Sequence, residues 1–134
     1  MAQAREETLA IHSDEDVVRV RQVTRQWAVE IGLSLVDQTK IVTAASELAR
    51  NTLIHGGGGT ARLEELAESG RRGLGLTFED KGPGIADVTQ ALRDGYTSGS
   101  GLGLGLGGAR RLSSTFDITS APGRGTCIRI TRWK

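Results

Sequence analysis

"GLGLGLGGARRL" (Gly101–Leu112) alternates glycine with leucine and then turns basic. Glycine costs a chain more backbone entropy than any other residue, so a strand or helix built of it is weak. A flexible linker would carry serine or other polar spacers in place of three leucines. The stretch therefore either brings backbone close to something or bends where other residues cannot. Gly103, Gly105 and Gly108 satisfy G-x-G-x-x-G. A dinucleotide fingerprint needs a strand just before it and an acid about twenty residues later. Here the polar "DGYTSGS" precedes, and no strand ends in an acid at the required place. A Walker A loop fails as well, because no Gly-Lys-Ser/Thr follows, and the loop signatures of eukaryotic-type protein kinases are absent. What remains is a glycine-rich loop running into a helix. Such a loop offers free backbone N–H groups and a positive dipole end to an anion, with phosphates the best fit. A merely flexible lid is the alternative.

The totals narrow the setting. A chain of 134 residues fits one domain, expected over 1–134, with enough length for a real core. Seventeen basic residues against sixteen acidic ones leave no nucleic-acid footprint, and 4% aromatics argue against base-stacking platforms. The lone Cys127 cannot form an internal disulfide, and no zinc-ligand spacing exists. "MAQAREETLAIHS" has no apolar signal core and no segment approaches membrane-spanning length. A cytoplasmic domain without nucleic-acid or membrane partners is expected.

Along the chain, "ETLAIHS" alternates as a short strand. "SDED" supplies an N-cap and acidic first turn for a helix over "DVVRVRQVTRQWAVEIG", stopped by Gly32. Val17, Val20, Val23, Trp27 and Ile31 recur at helical spacing within it. A second helix lies in "SLVDQTKIVTAASELARNTLIHGGGG" and ends in its glycine run. "TARLEEL" and "GLGLTFED" read as strands, "DVTQALRDG" as a short helix, and "LGGARRLSSTF" opens a third main helix. "FDITS", the turn "APGRG" and "TCIRITRW" form a final hairpin. The class is α+β with a mixed, mostly antiparallel sheet.

Candidate chemistry starts on the second helix. Glu47, Asn51 and His55 stand four apart and share a face, beside an apolar arc of Ile41, Ala44, Ala45, Leu48, Ala49 and Leu53. A carboxylate and an amide there could line a cleft, or they could be ordinary border residues of an amphipathic helix. His55 lacks a second histidine nearby and reads as a satisfied or exposed helix-end residue, and Cys127 as a small core residue. In "FEDKGPGI", Asp80 ends a strand before Gly82-Pro83-Gly84. That string is a strand-ending turn, or it sets a carboxylate against a ligand amino group while the glycines let a flat ring approach.

Taken in order, Glu-x-x-x-Asn on a helix, Asp-x-Gly-x-Gly, a Gly-x-Gly-x-Gly lid and a late Gly-Thr resemble the GHKL ATPase superfamily. The resemblance covers nearly the whole chain. In length and in the wording of "SELARN", "EDKGPGI" and "GLGLGLGGARRL" it is most similar to the RsbT-type serine/threonine kinases of the stressosome switch. The resemblance implies the Bergerat fold, a two-layer α/β sandwich with helices on one face of the sheet, and ATP with Mg²⁺ as cofactors. By position, Asn51 would coordinate Mg²⁺, and Asp80 would accept the adenine amino hydrogen bond. Gly82 and Gly84 would leave room for the ring, and Thr126 would back up that contact. Gly101, Gly103 and Gly105 would form the phosphate lid. Glu47 would orient or deprotonate the attacking hydroxyl.

The resemblance further implies phosphorylation of STAS-domain partners, scaffold or antagonist, followed by release to activate a phosphatase. The alternatives are an anti-sigma-factor kinase and a nucleotide-gated binding module that sequesters a regulator. Glu47 with an intact Asn51, which a pure binder would not need, favours the kinase.

Overall fold

A computed structural model describes residues 5–85, 88–92 and 105–134. The chain opens with β1 (Glu6–Ile11), followed by α1 (Asp14–Ile31) and α2 (Leu35–Ile54). Ser13 caps α1, its Oγ accepting the Asp16 N–H at 3.2 Å, a cap worth about 1 kcal/mol. Gly32 stops the helix in the left-handed region at φ 92, as its place in the sequence predicted. Ser34 caps α2 in the same way through Asp37 N–H.

Next come β2 (Gly59–Glu68) and β3 (Arg71–Asp80), the short α3 (Val88–Ala91), α4 (Gly105–Arg111), β4 (Thr115–Ser120) and β5 (Thr126–Trp133). Among the described residues the five strands form one sheet in the order β1-β2-β3-β5-β4. Every neighbouring pair is antiparallel, so the expected mixed sheet is in fact wholly antiparallel there. The two-layer α+β class stands.

Register explains the core. Residues directly opposite in an antiparallel pair project to the same face. Leu9, Ala61, Phe78, Ile128 and Ile118 form one cross-sheet row, and Leu63, Leu76, Ile130 and Phe116 the next. These rows meet Val20, Trp27 and Ile31 of α1 and Ile41, Ala45 and Leu48 of α2 in one apolar cluster. Val17 and Val23, expected in the helix stripe, are only partly buried at its margin.

The opposite face of the sheet carries the polar members of the alternation. Gly73 and Gly75, costly inside a strand, are roofed from neighbouring strands. A Cβ on Gly73 would lie 2.7 Å from the Trp133 ring, and one on Gly75 would lie 3.3 Å from both Arg129 and Leu66. Over Gly75, Arg129 reaches Glu64 at 3.0 Å. Cys127 projects to this face and is half-buried, not a core residue as its strand setting suggested. Burial, then the Glu79 carboxylate, push its thiol pKa up.

One long-range ion pair joins three elements. Arg132, near the end of β5, bonds the Asp37 carboxylate in the first turn of α2 at 2.7 Å and the Leu112 carbonyl after α4 at 3.3 Å. The guanidinium hydrogen bond holds the Asp37 carboxyl below its ordinary value of 3.8. A depressed native value gives stability that is complete above the ordinary value and lost as pH falls through the native one. Asp37→Asn should therefore cost about 1 kcal/mol at pH 7. Urea melts at descending pH should show wild type and variant converging only below 3.8.

Candidate functional site

The apolar rows turn polar at one end of the sheet. The next row in register is Ile11, Gly59, Asp80, Thr126 and Ser120. Asp80 ends the central strand on the helix-covered face, beneath the C-terminal end of α2. Its Oδ1 accepts the Gly82 N–H at 2.9 Å, an Asx turn that folds the chain back over its own carboxylate. An ionised carboxylate has about four acceptor sites, so this bond leaves capacity for a ligand donor.

Gly56 faces the other side of that carboxylate. A Cβ there would overlap the Asp80 side chain, and a Cβ on Gly82 would stand 2.7 Å from the Gly56 backbone. The Gly56 and Gly82 backbones thus close together at this carboxylate with no room for a methyl group on either. Gly84 has φ +77 and its missing Cβ would overlap the Ala121 carbonyl; Gly125, also at φ +77, lies as closely on the Asp80 carbonyl.

Ser120 ties the rim together. Its hydroxyl accepts the Ile85 N–H at 2.8 Å, donates to the Gly125 carbonyl at 3.0 Å, and lies 2.8 Å from Thr126 Oγ1. The Gly123 N–H donates to the Pro83 carbonyl at 2.7 Å. The loop after β3 is thereby bound to the β4–β5 turn. Sequence reasoning singled out Thr126 but missed Ser120 and Gly56. The glycine run after His55 was read as a helix stop, and only the fold shows that one of its members is a contact.

On α2, Glu47 and Asn51 are both half-buried, one turn apart, between the core stripe and solvent. Glu47 Oε2 accepts the Gly105 N–H at 3.4 Å, which brings the start of α4 to this carboxylate. Gly105 has φ +68, a backbone setting that favours glycine. Of the three glycines expected in the lid, Gly101 and Gly103 lie outside the described residues. His55 caps the end of α2 with its own N–H on the Asn51 carbonyl, a helix-end role as expected. Among the described residues no group of three His, Cys, Asp or Glu side chains gathers to hold a metal ion. A separate groove of about 490 Å³, lined by Leu66, Arg71, Arg129 and Trp133, opens on the far face of the sheet, remote from Asp80.

Residues 12–132 match the histidine kinase-like ATPase domain. The chain belongs to that family. The serine/threonine-protein kinase RsbT of Bacillus subtilis is 42% identical over 123 residues, covering 92% of each chain. An anti-sigma F factor of Thermoanaerobacter is 27% identical, over 84% of this chain and 82% of its own. In three dimensions the chain superposes on the RsbU and RsbW domains of a Mycobacterium tuberculosis protein with a TM-score of 0.64 at 24% identity, covering 99% of this chain and 33% of that longer one. The histidine kinase domain of a blue-light activated kinase from Erythrobacter litoralis gives 0.54 at 19% identity, over 88% and 59% of the two chains. These two likenesses bear on the fold. Family membership bears out the expected ATP-using kinase class. No helix among the described residues is long and apolar enough to cross a membrane.

Gly56→Ala tests this packing: the added methyl must displace Asp80, costing about 1–3 kcal/mol of stability. Thermal melts of wild type and variant check the loss.

Proposed function

We propose that the chain transfers the γ-phosphate of ATP to a serine or threonine hydroxyl of a partner protein. The observation that carries this reading is the pairing of two half-sites. One is a carboxylate, Asp80, enclosed by Gly56 and Gly82. The other is the Glu47–Asn51 step on α2. Asp80 accepts the exocyclic amino group of adenine in the acceptor capacity that Gly82 leaves. Gly82 and Gly84 admit the ring where side chains would block it. Thr126, opposite Asp80 in register and bonded to Ser120, backs that contact.

Asn51 would hold Mg²⁺, which supplies positive charge to the phosphates. Gly101, Gly103 and Gly105 would fold their N–H groups around the same phosphates. Glu47 then orients the acceptor hydroxyl and takes its proton as the oxygen attacks phosphorus and the ADP oxygen departs. Phosphoryl transfer needs little else beyond alignment and charge stabilisation. The Gly105 N–H that Glu47 holds at 3.4 Å is a long bond, readily exchanged for a substrate hydroxyl.

For the partner, identity of 42% to RsbT against 27% to the anti-sigma F factor favours a switch kinase of STAS-domain proteins, scaffold or antagonist, in a stress-signalling assembly. Release after transfer would free the chain to engage a phosphatase. A direct pull-down with a sigma factor would favour the anti-sigma reading instead.

Two measurements test the assignment. Intact mass of STAS-domain proteins incubated with Mg-ATP should rise by one phosphate with wild type and stay unchanged with Glu47→Gln, which keeps its ATP affinity. Absence of any gain while ATP still binds would turn the reading towards a nucleotide-gated binding module. Asp80→Asn should weaken ATP binding about tenfold or more, because a charge-assisted bond is worth about 1.5–3 kcal/mol. Unchanged affinity in a titration would remove the adenine role.

A further inference from the structure

α4 has seven residues, three of them glycine, and could not persist as a helix alone. It is held by what it touches. Leu106 and Ala109 are buried in the core. The buried residues of α2 are Ile41, Val42, Ala44, Ala45, Leu48, Ala49 and Thr52. Apolar burial is non-directional. Polar contacts at the ends of so short a helix add direction.

Two of them lie at opposite ends of α4 and both lead to α2. At the start, the Gly105 N–H meets the Glu47 carboxylate. At the exit, the Leu112 carbonyl meets Arg132, whose other nitrogen is 2.7 Å from Asp37. Each charge also has the favourable sign for its end of the helix. Ser114 secures the same exit too, but to β5 alone: its N–H donates to the Thr131 carbonyl, and its Oγ accepts the Trp133 N–H. Arg132 is a side chain that connects that exit to α2.

We propose that Arg132 and Asp37 are positioning residues that set where α4, and with it Gly105, stands against Glu47. The proposal rests on the assignment of Glu47 made above. Neither residue touches the nucleotide row, since Arg132 lies at the other end of β5 from Thr126. They act through α4. With the exit released, α4 shifts against α2, and Gly105 no longer meets Glu47 in one geometry. Misplacement of a catalytic constellation by about 1 Å can cost on the order of a hundredfold in rate. An anchor one helix away should cost less.

The test compares wild type, Arg132→Gln, Arg132→Lys and Arg5→Ala in the full chain. Arg5 pairs with Glu30 and lies over the Trp27 ring, on the far side of α1, so its loss destabilises the fold without reaching α4. Arg132→Gln should speed amide hydrogen exchange across residues 106–112 and lower kcat/KM for ATP about tenfold in phosphoryl transfer. Arg132→Lys should recover part of both. Arg5→Ala should lower the melting temperature and leave both unchanged. Equal kinetic loss in Arg5→Ala, unaltered exchange in Arg132→Gln, or faster exchange with unaltered kinetics would each overturn the proposal. A wild-type chain that transfers no phosphate would sink the kinase reading instead. Exchange, with ATP affinity in place of kcat/KM, would then decide the clamp by the same comparisons.

Discussion

The register of β3 governs this molecule. It is the central strand, paired from Gly59↔Asp80 to Glu68↔Arg71 on one side and from Gly73↔Trp133 to Asp80↔Thr126 on the other. A slip of one residue would turn Leu74, Leu76 and Phe78 away from the helices and expose the whole apolar floor. The same slip would carry Asp80 to the wrong face. Core and site therefore share one constraint: the burial that selects the register also places the carboxylate.

Much of this was legible in the chain. α1 is bracketed by Ser13 and Gly32 in the sequence as in the structure, because capping chemistry is local. β5 occupies the stretch read for it, since Ile128 and Ile130 alternate with polar residues. Asp80, Gly82 and Thr126 meet at one sheet end, and Glu47 and Asn51 share one helix step, as their motifs implied. What stayed hidden was non-local. Arg132 and Asp37 are 95 positions apart, and neither has a neighbour in sequence that marks it as paired. Ser120 is an ordinary hydroxyl until the loop of Ile85 folds onto it. Cys127 was misplaced because a place between Thr126 and Ile128 does not declare which face of the strand is covered.

The glycines divide by cause. Gly32 is required for its dihedral angle, Gly56 and Gly82 for lack of space around a carboxylate, and Gly73 and Gly75 for the side chains that lie over them. Composition reports only their abundance. Position decides whether a substitution strains a turn, evicts Asp80 or collides with Trp133.

The two tryptophans stand away from the polar end of the sheet. Trp27 is buried beneath Arg5 in the core, and Trp133 lies over Gly73 at the opposite end of β5 from Thr126, about 23 Å along a strand of that rise. The indole fluorescence of this protein is consequently a gauge of its fold and not of its site. Emission from Trp27 follows the integrity of the helix layer, and emission from Trp133 follows the far face of the sheet. A ligand beside Asp80 would meet neither ring directly, so its arrival is better read from the ligand.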